Sequence, residues 1–326
     1  MQSILKKTVV GLVSAVLALA ANAQTPATFP AGPVTILSGF AAGGPTDVAA
    51  RLAAKVLSDG FKDPVVVDTR AGANGLISIQ ALKRAKADGH TLLAVTAGMM
   101  TITPAVKANA GYDPIKDFTP IAIVGEFPFV LVARNGFPAD DVAGLVDFAK
   151  KNPGKVNYGS AGIGSSNHLA GEWFNSMAKI SMEHVPYKGD APAIGDLLAD
   201  RLDVYFLTPS LAMPQAAAGK LKVLGVASTA PTPLAAGVKD VVAKTVPGFH
   251  MGSWIGIVGP AGMPRDVVKK LNAAINERLK QPQYLQSLAS IGQDPVAVTP
   301  EQFAARIQKE LGVWTKVATD AKISVE

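Results

Sequence analysis

The chain has 326 residues, of which 48% are hydrophobic and 17% charged, with a formal net charge of +6 and no cysteine. That hydrophobic content is ample for buried sheets, while the missing cysteines exclude thiolate metal sites, cysteine nucleophiles, thiol redox chemistry and a lipid anchor on sulfur. The basic residues are scattered along helices, as at Lys309 and Lys316, and form no dense block, so the footprint of a nucleic-acid binder is missing.

Lys6 and Lys7 precede an apolar run over residues 9–21 that ends in Ala21-Asn22-Ala23. This is the pattern of a secretory signal peptide, residues 1–23, with cleavage after Ala23. The run falls short of the roughly 20 residues that span a bilayer. The expected mature protein is therefore soluble and periplasmic, and of a length that suggests two lobes with separate cores.

From Pro33 onward short β-branched runs alternate with stretches of helical period, the signature of βα units around parallel sheets. Strands are expected at 34–37, 64–67 and 91–96, with a helix after residue 44 whose Val48, Leu52, Val56 and Leu57 share a stripe, and another over 77–84. Two apolar runs within 121–132 are broken at Gly125 to Pro128, a candidate crossing between lobes. The second unit reads helix 142–150, strand 156–158, helix 169–177, strand 183–185, helix 191–198, and strands 202–206 and 223–226. A strand over 253–258 leads back to the first lobe, followed by helices 265–280 and 282–291. The last helix opens on Thr299-Pro300-Glu301-Gln302, a capping box with proline at the first helical position. The organisation is two discontinuous α/β lobes, residues 27–127 with 250–326 and residues 128–249, and the double crossing permits hinge closure.

One arrangement occurs in both lobes: an apolar strand, a turn of small residues, then an amphipathic helix. The turns are Gly39-Phe40-Ala41-Ala42-Gly43-Gly44-Pro45-Thr46-Asp47 and Tyr158-Gly159-Ser160-Ala161-Gly162-Ile163-Gly164-Ser165-Ser166-Asn167-His168. A carboxylate reaches the free N–H groups at a helix N-terminus only where no bulky side chain shields them, and hydroxyls of Thr46, Ser160, Ser165 and Ser166 add donors without charge. Either turn alone is as readily a plain βα connection. Two of them carry more weight, because ligands of open α/β sheets bind beyond the carboxyl ends of the strands. A P-loop needs Lys after its glycines, but Ser165 follows Gly164, and the second loop lacks the third glycine of a dinucleotide fingerprint.

The chain resembles the substrate-binding components of tripartite tricarboxylate transporters, the Bug group of Bordetella. The resemblance runs through Phe40-Ala41-Ala42-Gly43-Gly44-Pro45-Thr46-Asp47, Arg70-Ala71-Gly72-Ala73-Asn74-Gly75 and Asp88-Gly89-His90-Thr91-Leu92-Leu93, and then Tyr158-Gly159-Ser160-Ala161-Gly162, His168-Leu169-Ala170-Gly171-Glu172 and Val185-Pro186-Tyr187-Lys188-Gly189. It implies a type II periplasmic binding-protein fold, two Rossmann-like lobes joined by crossing strands, with both loops clamping a ligand carboxylate. Carried over, the contacts are Phe40, Ala42, Gly43, Gly44, Asp47, Thr96 and Ala97 from the first lobe, and Ser160, Ala161, Gly162, Ser166 and Tyr187 from the second. Thr46, Gly164 and Ser165 complete the loops. Where the family often has Asp followed by Asn or Ser, this chain has Leu207-Thr208-Pro209-Ser210. Thr208 thus joins the expected site, and an acceptor for a ligand amino group is lost, which favours a non-amino carboxylate, di- or tricarboxylic or aromatic.

No cofactor and no metal are expected, since His90, His168, His184 and His250 show no ligand spacing. The expected partners are the small carboxylate and integral-membrane transporter subunits. Two other functions stay open: a periplasmic sensor feeding a signalling kinase, and a serine hydrolase built on Ser160, His168 and Asp47. The hydrolase is disfavoured because Tyr158 stands where a nucleophile elbow requires glycine. Individual residues keep plainer roles as well: Asp47 as a loop cap, His168 as a hydrogen-bonded structural histidine, Trp173 and Phe174 as core, and Trp254 as either core or cleft.

Overall fold

In the computed structural model, residues 29–320 other than 108, 188 and 229 are described; the expected signal peptide lies outside the described residues. Each parallel unit forms for the reason its sequence suggests. Strand β1, Val34–Ser38, buries Val34, Ile36 and Leu37, a run that suits a strand covered on both faces. Helix α1, Pro45–Phe61, then lays Ala49, Leu52, Ala53, Val56 and Leu57 on the sheet. Strand β2 (Val65–Thr69), helix α2 (Leu76–Lys83) and strand β3 (Thr91–Thr96) follow, then a π-helical turn Gly98–Ile102 that runs into the short helix α3 (Thr103–Val106).

Strand β4, Phe118–Pro128, passes through Phe129 directly into β5, Val130–Arg134, which belongs to a second sheet. That sheet is built from β5, helix α4 (Val142–Lys151), β6 (Asn157–Ser160), α5 (Ser166–Ala178), β7 (Glu183–Pro186), α6 (Asp190–Leu198), β8 (Val204–Leu207), α7 (Pro209–Ala217), β9 (Leu221–Val226) and α8 (Val242–Thr245). Strand β10, Gly252–Pro260, returns to the first sheet, and α9 (Arg265–Arg278), α10 (Pro282–Ser290) and α11 (Pro300–Asp320) complete the chain.

The strand orders are β2-β1-β3-β10-β4 and β7-β6-β8-β5-β9. Both sheets are mixed, which corrects the expectation of parallel sheets: β10 is antiparallel to β3 and β4, and β5 to β8 and β9. The strands that enter each sheet from the other, β10 and β5, run against the βα units. Gly125 does not end β4 either, because the ladder to β10 runs from Pro260↔Phe118 to Gly252↔Pro128, with a register shift beside Gly125, between Ile255 and Gly256. Its missing side chain instead lets Gln293 and Leu288 approach, since a β-carbon there would lie 2.6 Å from the Gln293 Oε1 and 3.1 Å from a Leu288 methyl.

Helix α11 ties the two sheets together. Phe303 and Ile307 pack in the cluster of Leu37, Val95 and Trp254, whereas Trp314 and Ala318 join the second sheet's core with Phe174 and Phe206. Thr299 and Gln302 cap it reciprocally, with N–H to side-chain oxygen distances of 2.8 and 3.2 Å. Among the described residues no helix is long and apolar enough to cross a membrane.

Candidate functional site

Strands β1 and β3 are parallel neighbours, so the loops that leave them emerge at one edge of the first sheet. Gly43 takes a left-handed turn, φ 81°, that folds the exposed loop back toward α1. Asp47, 1% exposed, holds it there: its Oδ2 accepts the Gly43 N–H at 3.0 Å and its Oδ1 the Thr69 hydroxyl at 3.2 Å. Arg51 pairs with the same carboxylate at 2.8 Å. Burial alone would raise the Asp47 pKa, but the bonds from Arg51 and Gly43 and the charge of Arg51 bring it below the ordinary value. Asp47 therefore organises the loop, its charge is cancelled, and the Gly43 amide is committed internally. Pro45 has no N–H, which leaves Thr46 and Asp47 as the first-turn amides of α1 with no acceptor inside the helix. Phe40 packs half-buried against the core of the first sheet, the Thr96 hydroxyl accepts the Met99 N–H at 3.2 Å, and Ala97 is buried.

In the second sheet β7, β6 and β8 are parallel, so their outgoing loops again share an edge. Ser160 is fully buried; its Oγ lies 2.6 Å from His184 Nε2 and 3.1 Å from the Gly162 amide. Ser165 caps α5 and donates to Asn167 Oδ1 at 2.7 Å. Asn167 is the centre of this region. Its Oδ1 accepts the Ala161 N–H at 3.0 Å and its amide nitrogen donates to Asp190 at 3.0 Å and to the Tyr205 oxygen at 2.9 Å. Gly164 donates to His168 Nδ1 at 3.2 Å, and His168 stacks on His184 with centroids 4.0 Å apart. With the amides of Ala161, Gly162 and Gly164 occupied, Ser166 and Asn167 present the first-turn amides of α5 that lack a helical acceptor. Tyr187 lies half-buried beside this loop, its N–H donating to Ser160 O at 3.0 Å and its hydroxyl to Asp196 at 2.9 Å. Thr208 is the N-cap of α7, with its hydroxyl 3.1 Å from that of Ser210.

The two edges meet. A β-carbon on Gly98, just beyond β3, would stand 3.1 Å from the Ser166 Oγ, and one on Gly292, after α10, would stand 2.8 Å from the Ser210 amide nitrogen. A cavity of about 750 Å³ lies along α11 and the crossing strands, and of the expected site residues only Ala97 lines it. The residues of the hydrolase alternative are not assembled: Ser160 bonds to His184, His168 to Gly164, and Asp47 to Arg51 in the other sheet.

Sequence reasoning did not select Asn167, His184, Asp190, Gly98 or Gly292. Asn167 had a signal, since a side-chain amide in the first turn of a helix readily reaches back to the preceding loop. His184 had none. It meets Ser160 only because β6 and β7 pair Tyr158 with His184, which places Tyr158, Ser160 and His184 on one face beneath α5.

Two mixed sheets, exchanged crossing strands and facing βα edges are the architecture of periplasmic solute-binding proteins. A family model described as the tripartite tricarboxylate transporter family receptor (TctC) matches residues 49–322, and the chain belongs to that family. Its relatives include BugT of Bordetella pertussis, 30% identical over 97% of each chain. Among solved structures, R. palustris Rpa4515 with adipate superimposes with a TM-score of 0.83 at 31% identity, covering 91% of this chain and 99% of that one. MatC from Rhodopseudomonas palustris with bound malate gives 0.77 at 31%, covering 89% and 99%.

Proposed function

We propose that this protein is a periplasmic receptor that captures a small non-amino carboxylate between its two lobes, residues 27–127 with 250–326 and residues 128–249, and delivers it to the membrane subunits of a tripartite tricarboxylate transporter. A dicarboxylate is the first candidate, because the similar proteins Rpa4515 and MatC hold adipate and malate. The observation that carries the reading is the meeting of the two edges at Gly98 and Ser166. It supports a reading in which the N-terminal amides of α1 and α5 face one cleft, each suited to one carboxylate.

The site on this reading comprises Phe40, Ala42, Gly43, Gly44, Thr46, Asp47, Thr96 and Ala97 from the first lobe. The second contributes Ser160, Ala161, Gly162, Gly164, Ser165, Ser166, Tyr187 and Thr208. Their roles differ. Asp47 and Asn167 shape the loops, and the free amides of Thr46, Asp47, Ser166 and Asn167 grip the ligand. Each charge-assisted hydrogen bond contributes about 1.5–3 kcal/mol, enough in sum to offset closure. Residues 1–23 act as the export signal.

A thermal-shift screen of adipate, malate, citrate, benzoate and aspartate, followed by calorimetry, tests this. A non-amino carboxylate should raise the melting temperature at saturating excess. Binding of aspartate more tightly than of malate or adipate would overturn the ligand class, and no response to any carboxylate would overturn the reading itself.

A further inference from the structure

The cavity along α11 is not part of the paired loops, and its chemistry is of the opposite kind. Its volume of about 750 Å³ is that of a small-molecule site. All three tryptophans of the chain line it, Trp173, Trp254 and Trp314. Trp173 and Trp314 meet edge to face with centroids 5.4 Å apart, and the Trp254 indole N–H is held by Glu310 at 2.8 Å.

The charges on its wall are unevenly matched. Arg306 is committed twice, to Glu126 at 2.7 Å and to Glu310 at 2.7 Å. Asp294 is fixed by its backbone, which exchanges N–H···O bonds of 2.8 and 3.0 Å with Glu126. Among the described residues its carboxylate has no cationic side chain within 4 Å. Burial and the neighbouring Glu126 raise its pKa, so a positive charge brought there would relieve both. Lys309 carries the other ammonium or guanidinium charge on the wall, and His250 also lines it, its ring edge to face with Trp173 and its Nδ1 3.1 Å from Gly248 O. An anion would gain that one ammonium and face Glu126, Asp294 and Glu310, whereas a cation gains an unmatched carboxylate and indole rings that favour positive charge.

We propose that this cavity is a second ligand site, for a primary ammonium with an apolar or aromatic body, in which Asp294 takes the charge and Trp173 and Trp314 take the body. Its walls come from several elements, Trp173 from α5, Ser228 from the segment after β9, Asp294 from the segment after α10 and Arg306 from α11. It does not depend on the carboxylate reading of the paired loops.

Phenethylamine and its anionic counterpart hydrocinnamate are the probes, titrated into the mature protein by calorimetry and by tryptophan fluorescence. Phenethylamine should bind and change the fluorescence, hydrocinnamate should not compete for it, and D294N should weaken it at least about tenfold with its thermal transition retained. K309A should leave phenethylamine binding unchanged or tighter, a second variant that does not disturb Asp294. Should D294N fail to fold, protection of tryptophan from acrylamide quenching by phenethylamine, in wild type and K309A alike, carries the test. Equal affinity in D294N, loss of binding in K309A, competition by hydrocinnamate, or no phenethylamine binding up to about 10 mM would overturn the proposal.

Discussion

Gly98, just beyond β3, and Ser166, at the start of α5 after β6, follow strands of different sheets, yet a β-carbon on Gly98 would lie 3.1 Å from the Ser166 hydroxyl oxygen and 3.5 Å from that of Thr96. The separation is tighter than ordinary contact, so glycine at this position sets how closely the two edges approach.

A branched side chain at this point should act as a wedge. Gly98→Val places methyl groups against Ser166, and the expected result is at least an approximately tenfold loss of dicarboxylate affinity, about 1.4 kcal/mol. Gly98→Ala, which needs a shift of only a few tenths of an ångström, should lose less. Calorimetry with malate and adipate measures both, and unchanged affinity in Gly98→Val would show that the edges do not close on the ligand here.

The Asp47 carboxylate is taken up within the first loop and its surroundings, by Gly43, Thr69 and Arg51. Asp47→Ala removes the acceptor for Gly43 and Thr69 and the partner of Arg51, so a loss of about 1–2 kcal/mol of stability is expected. Ligand affinity should fall with it, since the Gly43 turn is no longer fixed. Because the folded pKa of Asp47 is depressed, its stabilisation is complete above the ordinary aspartate value and is lost as pH falls through the folded one. Urea denaturation at pH 7 and at pH 3 tests this, and the gap between wild type and Asp47→Ala should narrow at the lower pH.

The βα units were legible because burial on both faces demands continuous apolar strands and burial on one face gives a helix its stripe, as Val34 to Leu37 and Leu52, Val56 show. The capping box at Thr299 and Gln302 was legible for the same local reason. The turn Gly98–Ile102 was not, since its residues are all buried and an unbroken apolar run has no period. Helix α7 was hidden by Pro209 and Pro214, the first of which in fact occupies a favourable N-terminal position. In the site, the small-residue loops were visible in the sequence. Which amides remain free was not, because that depends on Asp47 and Asn167 reaching back across them, and the pairing of Ser160 with His184 depends on strand register.

Helix α5 crosses Tyr158 so closely that a β-carbon on Gly171 would lie 2.1 Å from the ring. Tyr158 is fully buried and its hydroxyl donates to Glu172, so the ring has no room to yield. Gly171→Ala gains helix propensity but should still lose about 1–3 kcal/mol through overpacking. A urea midpoint at or above that of the wild type would contradict this packing.

His184 links the second loop to pH. Its ring lies between Tyr158 and His168, with centroids 5.0 and 4.0 Å away, and its Nε2 is hydrogen-bonded to the hydroxyl of Ser160. Burial first, and then the neighbouring His168, lower its pKa from 6.5 to about 4. The unfolded chain thus takes up a proton before the folded one, so stability is full above the unfolded value and declines as pH falls from about 6.5 toward 4. With the ring half-buried, on the order of 2 kcal/mol is at stake. Thermal melts between pH 7.5 and pH 4 should show this decline in wild type, and His184→Gln, which cannot titrate, should flatten it. A decline of equal size in the variant would assign the effect to His168, whose pKa burial also lowers, or to the carboxylates, and leave His184 without a part in it.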